Sequence, residues 1–182
     1  MSEYPDCRDL QIYNHVSLYL TESFNQYAYK FKTVKELARK IKEGIEEMNP
    51  FIQKNTRTVC PNCKEVCCIS KHGYYNFEDL VYIHALGLRP PDNEFGRKDS
   101  EPCQFLSEHG CSMERSFRPS GCNWYFCDPL LDYMEKQPDY QEFDMAMTNL
   151  AELWLKLLEE FSLLTNSSHS EFCGFSVSDL NP

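Results

Sequence analysis

The chain has 182 residues, of which 10 are cysteines, and its 18 Lys and Arg against 28 Asp and Glu give a net charge of −10. An apolar content of 42%, with 14% aromatic residues, excludes an intrinsically disordered protein. A chain of this length is typical of one domain and buries enough surface to fold without disulfides. The acidic charge argues against a nucleic-acid partner.

The N-terminal segment carries neither the basic region nor the apolar region of a secretory signal. No run of about 18 apolar residues predicts a membrane span. We therefore expect a cytoplasmic protein whose thiols stay reduced. Clustered cysteines in that compartment indicate metal ligation or redox chemistry rather than structural disulfides.

The first third of the chain predicts scaffold helices. Apolar residues recur in steps of three and four from Tyr13 to Met48, which is the spacing of one helix face. A break is expected near Thr33, because Thr33-Val-Lys-Glu36 matches a capping box. The second helix is expected to end before Asn49-Pro50.

Two more helices are predicted downstream. Residues 76–88 indicate a short helix, with Asn76 as its N-cap and Gly87 just beyond its C-terminus. A long helix begins near Pro138-Asp139 and continues to about Phe161, since its apolar residues again step by three and four.

Strand signals are confined to Arg57–Val59 and to short pieces on either side of Ser107–Gly110. The predicted fold class is mainly α, a helical scaffold around an irregular cysteine-rich metal-binding loop region with a small β-hairpin. We expect a single domain over residues 1–182. Its parts are N-terminal helices (1–56), a cysteine-cluster metal-binding region (57–129) and a C-terminal helix and tail (130–182).

Eight cysteines fall in three groups within this middle region, and we predict that they bind metal. The groups are Cys60, Cys63, Cys67 and Cys68; then Cys103 and Cys111; then Cys122 and Cys127. The two remaining cysteines, Cys7 and Cys173, lie outside the cluster and are expected to be ordinary buried thiols.

The first group begins with Cys60-Pro-Asn-Cys63, a tight turn that directs two thiolates at one ion. Cys67 and Cys68 are adjacent, and the side chains of neighbouring residues usually diverge. Either these two serve two metal centres, or only one of them is a ligand.

The other two groups carry more specific expectations. Cys103 and Cys111 would lie opposite each other at the open end of the predicted hairpin. Cys122 would lie in the first turn of a short helix, where the amide dipoles lower the pKa of a thiol. Cys127 follows five positions later and would point elsewhere unless that helix ends first. Arg118 would offset the negative charge of thiolates or bind a carboxylate.

Two histidines, His72 and His109, lie in the same window of the chain and are candidates to replace a cysteine as ligand. A lone histidine in a loop more often faces solvent. Their contribution is left open.

The spaced motifs resemble the bacterial YkgJ-type cysteine-cluster family over about residues 60–127. The matching pieces are Cys63-x3-Cys67-Cys68, Pro102-Cys-Gln-Phe-Leu106, Gly110-Cys111-Ser-Met, and Arg118-Pro-x-x-Cys122 with Cys127. The resemblance implies a zinc- or iron-chelating domain. The stretch Met113-Glu-Arg-Ser-Phe117 departs from the pattern, since it lacks a tyrosine–acid pair and is one residue longer.

The motif Cys60-Pro-x-Cys63 and the separated ligand pairs favour zinc. An iron–sulfur cluster is favoured by the tight grouping of Cys60, Cys63 and Cys67 and by the aromatic residues at 124–126. We expect a metal-binding protein with a structural, storage or interaction role. Its partner would be a protein, and neither nucleic acid nor membrane is expected. The alternative is an iron–sulfur or iron-dependent redox or modifying enzyme.

Overall fold

The structure, a computed structural model, describes residues 5–63, 67–70, 72–98, 100–108 and 110–166. Its helices are α1 (Leu10–Gln26), α2 (Lys32–Val59), α3 (Cys67–Ser70), α4 (Phe77–Ala85), α5 (Gly121–Trp124), α6 (Asp128–Met134) and α7 (Tyr140–Asn166). Two short strands, β1 (Leu106–Ser107) and β2 (Gly110–Cys111), form an antiparallel hairpin. Single 3₁₀ turns occur at Cys60–Asn62 and Arg115–Phe117. The prediction of a mainly α fold with a small hairpin is confirmed.

The break between α1 and α2 falls where the sequence placed it, but the predicted capping box is wrong. Helix α2 begins at Lys32, its N-cap residue is Phe31, and no side chain caps it. Phe31 is buried and stacks on Phe161 of α7, with ring centroids 5.7 Å apart. The apolar anchoring of Phe31 therefore sets the entry into α2, and Thr33 lies inside the first turn.

Helix α2 continues through Pro50, so the expected end before Asn49-Pro50 and the expected strand at Arg57–Val59 are both wrong. Proline removes one backbone donor from a helix. The buried face nevertheless continues beyond it through Ile52, which is 1% exposed. Phe51 also stacks on Phe143 of α7 at 4.6 Å. Tertiary packing thus overrides the local preference of the proline to end the helix.

The helices pack in pairs around one set of buried side chains. Helix α2 packs most extensively against α7, α1 packs against α4, and α6 packs against α2. The ring of Tyr82 lies 5.1 Å from that of Trp154, so α4 also contacts α7. Along the described ranges, none of the helices is sufficiently long and apolar to cross a membrane.

Both predicted ends of α4 are confirmed. Asn76 accepts a hydrogen bond from the backbone N–H of Asp79 and forms the capping box with it. At the other end Gly87 has φ of +75°, a conformation that glycine adopts without strain. The N–H groups of Gly87 and Leu88 donate to the carbonyls of His84 and Ile83, at 2.9 and 3.2 Å. This is the Schellman pattern of helix termination.

Asp79 links α4 to the region that precedes α5. Its carboxylate, in a residue only 2% exposed, accepts hydrogen bonds from the N–H groups of Asn76 at 3.0 Å and Ser120 at 2.8 Å. Burial raises the pKa of Asp79 to about 6, against an ordinary value of 3.8. The two hydrogen bonds act in the opposite direction and only partly offset that rise.

The free energy of unfolding is expected to depend on the titration of Asp79. Because the pKa of Asp79 is higher in the folded chain than in the unfolded chain, the folded chain holds the carboxyl proton more tightly. Its contribution to stability is then present in full below about pH 4 and decreases as the pH rises to about 6. The total change is at most about 3 kcal/mol.

The measurement is urea unfolding of the wild type and of Asp79→Asn from pH 4 to 7. The stability of the wild type minus that of the variant should decrease over this range and then level off. A pH-independent difference would mean that the carboxyl titrates near its ordinary pKa.

Candidate metal centre

The nine cysteines that the structure describes are all free thiols. Cys173 and His109 lie outside the described residues. Cys7 is buried in the core at 3% exposure, and burial raises the pKa of its thiol to about 12. It lies near the start of α4, where the carboxylates of Asp6, Glu78 and Asp79 act on it, rather than among the clustered cysteines.

The sulfurs of Cys103 and Cys122 approach Gly73, and Cys68 and Cys111 interact electrostatically with them. We call these four residues, which come from four separate segments, the Gly73 thiol group: Cys68, Cys103, Cys111 and Cys122. A Cβ placed on Gly73 would lie 3.6 Å from the sulfur of Cys122 and 3.7 Å from that of Cys103. The N–H of Cys103 donates to the carbonyl of Cys68 at 2.7 Å, which ties the loop before β1 to α3.

Electrostatics connect the same four residues. Burial raises the pKa of Cys68, and so do Cys103 and Cys111. Desolvation of the thiol, together with the smaller influences of Cys103, Cys111 and Cys68, raises the pKa of Cys122 to about 12. The expectation that helix dipoles would lower the pKa of Cys122 is therefore wrong. Helix α5 has only four residues, and the N–H of Cys122 already donates to the carbonyl of Pro119.

The hairpin forms where it was predicted, but its register differs from the expectation. Leu106 pairs with Cys111, and Ser107 pairs with Gly110. Cys103 therefore precedes the strand pair and is not opposite Cys111. The carbonyl of Cys103 accepts a hydrogen bond from the N–H of Leu106 at 2.9 Å, so a tight turn rather than a strand carries Cys103.

The α2-end thiol group consists of Cys60, Cys63 and Cys127. The N–H of Cys63 donates to the carbonyl of Cys60 at 3.1 Å across the 3₁₀ turn, in the tight turn that the sequence predicted. Burial raises the pKa of Cys60, and after burial the largest influences are Cys127 and Cys63. Cys127 is the N-cap residue of α6, after α5 has ended at Trp124.

Cys67 and Cys68 occupy the first two positions of α3. Successive residues of an α-helix differ in direction by about 100°. Cys68 acts electrostatically on the Gly73 thiol group and also on Cys60. Cys68 is therefore linked electrostatically to both groups of thiols.

Arg115 is a site residue that sequence reasoning missed. It is 8% exposed, and its guanidinium donates to the side chain of Asn49 at 2.9 Å and to the carbonyl of Cys122 at 3.4 Å. Burial lowers the pKa of Arg115 to about 10, while Cys122 and Cys111 raise it. Within the described ranges no carboxylate forms an ion pair with it.

Arg118 lies close by and matches one of its two predicted roles. Its Nε donates to the carbonyl of Met113 at 2.9 Å rather than to a carboxylate. Its positive charge lowers the pKa values of Cys68 and Cys122. Both arginines thus place positive charge beside the Gly73 thiol group.

His72 precedes Gly73 and uses one ring nitrogen as a donor. Its Nε2 lies 2.9 Å from the carbonyl oxygen of Lys98, which can only accept, so Nε2 carries the proton. Its Nδ1 is buried and has no hydrogen-bond partner among the described residues. A metal-ligating histidine commonly has this arrangement, with one nitrogen donating to a carbonyl and the other free to bind.

As the side chains stand, no three His, Cys, Asp or Glu residues in the described parts of the chain converge closely enough to hold a metal ion. Comparisons with protein-family models, with curated proteins and with solved structures found no match. The interpretation of the site therefore depends on its own chemistry and on the cysteine motifs.

The thiols of Cys68 and Cys122 are expected to become less acidic when Arg118 is made neutral. In metal-free, reduced protein, Arg118→Gln should slow alkylation of Cys68 and Cys122 about two- to tenfold, because the thiolate is the reactive form. Peptide mapping by mass spectrometry measures each rate. The control is Arg89→Gln, which removes the same charge from an exposed loop position. Equal rates in both variants would contradict the electrostatic role.

Proposed function

We propose that this chain is a metal-binding protein whose cysteine cluster holds zinc or iron in a structural, storage or interaction role. The observation that carries the proposal is the approach of the sulfurs of Cys103 and Cys122 to one place at Gly73. Cys68 and Cys111 interact electrostatically with Cys122, and the buried Arg115 lies beside it. Sets of thiolates are the ligands that zinc and iron–sulfur clusters take in proteins. The motif resemblance to a zinc- or iron-chelating family supports the same function.

The buried charge of Arg115 supports this proposal. A guanidinium removed from water costs several kcal/mol unless an anion compensates for it. Its hydrogen-bond partners among the described residues are neutral, namely Asn49, Asn123 and the carbonyl of Cys122. A metal held by four thiolates carries net negative charge. Ligation by the Gly73 thiol group would therefore supply the missing countercharge.

The chemistry of the donor set fits a thiophilic metal. Burial and mutual repulsion raise the pKa of Cys122 and Cys68, so both favour the protonated form without a cation. A bound metal would displace these protons, and its binding energy would be coupled to the order of the loop region. Its ligands would come from the eight cluster cysteines named above. A set closed by four thiolates supplies structural stability rather than a free coordination position.

The proposal is tested by elemental analysis and an anaerobic visible spectrum of the purified full-length chain. A colourless protein with stoichiometric zinc is expected for the zinc form, and broad visible absorption for an iron–sulfur cluster. Cys7→Ser is the control, because Cys7 lies apart from the cluster and its loss should leave the metal content unchanged. A chain that binds neither metal, as purified or after anaerobic incubation with each, would refute the proposal.

Metal affinity is expected to depend on the space beside Gly73. In Gly73→Ala the added methyl would lie 3.4 Å or more from its neighbours, an ordinary contact distance that the fold tolerates. It would nevertheless occupy the space between the sulfurs of Cys103 and Cys122. Zinc affinity, measured by competition with a chromophoric chelator, should fall about 10- to 100-fold, as it does when the surroundings of a metal site are disturbed.

The matched control is Gly121→Ala, which adds the same methyl next to Cys122. There a Cβ would have no atom within 4 Å, so zinc affinity should stay at the wild-type value. Equal affinities for the Gly73 and Gly121 variants would show that the space at Gly73 is not used by the metal.

A further inference from the structure

We infer that Cys103 and Cys122 are a redox pair, which forms a reversible disulfide bond when the chain meets a low-molecular-weight disulfide. The pairing follows from the positions of the two sulfurs and of the backbone on either side, and it requires no bound metal. Only its consequence for metal binding rests on the function proposed above.

The two sulfurs approach one point of the backbone. A Cβ placed on Gly73 would lie 3.6 Å from the sulfur of Cys122 and 3.7 Å from that of Cys103, so the sulfurs are separated by less than twice the longer distance. Among the described residues no other sulfur lies closer to this point. Because glycine has no side chain, residue 73 does not separate the two thiols.

The backbone at Cys103 is tied to the segment around Gly73. The N–H of Cys103 donates to the carbonyl of Cys68 at 2.7 Å. The side-chain amide of the next residue, Gln104, donates to the carbonyl of Gly73 at 3.4 Å. These two hydrogen bonds hold the turn that carries Cys103 against the segment that contains Gly73.

The backbone before Cys122 is tied to the same segment from the other side. The hydroxyl of Tyr75 donates to the carbonyl of Phe117 at 2.7 Å, and the N–H of Ser120 donates to the carboxylate of Asp79 at 2.8 Å. Both cysteines are therefore anchored to residues 73–79. This anchoring gives each thiol a high effective concentration at the other, and it favours a bond whose geometry is specific.

Both members of the pair are accessible to a small reagent, since Cys122 is exposed and Cys103 is partly exposed. The thiolate of one cysteine attacks the small disulfide, which forms a mixed disulfide and releases one small thiol. The thiolate of the other cysteine then attacks the protein sulfur of the mixed disulfide and displaces the second small thiol. Two protein thiols are oxidised to one disulfide, and one small disulfide is reduced to two thiols.

The disulfide would withdraw two donors from the proposed metal site, because the thiolate is the form of cysteine that binds metal. Oxidation of the pair and metal binding by the Gly73 thiol group would therefore exclude each other. A bound metal would protect the pair from oxidation, and an oxidising environment would release the metal.

The test equilibrates the reduced, metal-free full-length chain with mixtures of reduced and oxidised glutathione. After quenching with acid and alkylation of the remaining thiols, disulfides are mapped by mass spectrometry without reduction. Cleavage by Glu-C after Glu108 and by chymotrypsin after Trp124 places the four cysteines from 103 to 127 in separate peptides. Because the mixtures are at equilibrium, the result does not depend on how fast either thiol reacts.

The expected product is a peptide pair that joins Cys103 to Cys122 and is separated by dithiothreitol. Cys103→Ser and Cys122→Ser should each remove this pair. Cys7→Ser should leave it unchanged, because Cys7 lies apart from the cluster near the start of α4.

Two glycine variants test the geometry without changing a cysteine. Gly73→Ala adds a methyl group in contact with both sulfurs, whereas Gly121→Ala adds one with no atom within 4 Å. The equilibrium constant for oxidation should fall about tenfold in Gly73→Ala, because a disulfide forced from its preferred geometry is more easily reduced. It should stay at the wild-type value in Gly121→Ala. Circular dichroism checks that both variants keep their helices.

The outcomes separate this inference from the metal-binding proposal. Pairing of Cys103 with Cys68 or Cys111 instead, or no disulfide at Cys103 in any mixture, would overturn the inference. Equal equilibrium constants in the two glycine variants would also overturn it. If the disulfide forms but the reduced chain binds neither zinc nor iron, the redox pair stands and the metal-binding function fails.

Discussion

The packing of α2 against α7 is the constraint on which the rest of the molecule depends. The apolar face of α2 does not stop at Pro50 but continues through Ile52, and Phe51 stacks on Phe143 of α7. Because the helix continues to Val59, it delivers Cys60 to the start of the cysteine region. The same helix provides Asn49, whose side chain accepts a hydrogen bond from Arg115.

Hydrogen bonds from α4 and from Tyr75 hold the segment that leads to Cys122. The hydroxyls of Tyr75 and Tyr82 donate to the carbonyls of Phe117 and Ser116, at 2.7 and 3.1 Å. Asp79 accepts from the N–H of Ser120, two residues before Cys122. These side chains reach backbone groups rather than other side chains. The position of the second 3₁₀ turn and of α5 is thus held by hydrogen bonds from α4 and from Tyr75, which lies just before it.

Much of the fold could be predicted from the sequence, because apolar periodicity reports burial directly. Residue spacing and local backbone preference predict the apolar face from Tyr13 to Met48, the start of α7 and both ends of α4. The continuation through Pro50 could not be predicted, since it depends on Phe143, a residue of a distant helix. The hairpin was located correctly, but its register is set by contacts that sequence spacing does not encode.

In the candidate site, too, some features could be predicted from the sequence and others depend on the fold. The cysteines were evident from spacing, whereas desolvation of the thiol and the neighbouring thiols, which only the fold reveals, raise the pKa of Cys122. Arg115 gave no signal beyond its place between Cys111 and Cys122, and the stretch around it had been noted only as a departure from the family pattern. Gly73 was unremarkable in the sequence, because its role arises from the two sulfurs that approach it.

The buried guanidinium of Arg115 also constrains how this sequence can change over evolutionary time. A lineage that lost the surrounding cysteines one by one would keep a cation in its interior beside neutral amides and carbonyls. Such a chain would be unstable until position 115 changed to a neutral residue. Conversely, an early change at position 115 would leave the proposed metal–thiolate centre without the buried cation beside it. The arginine and the thiols near it are therefore expected to be retained, or replaced, together.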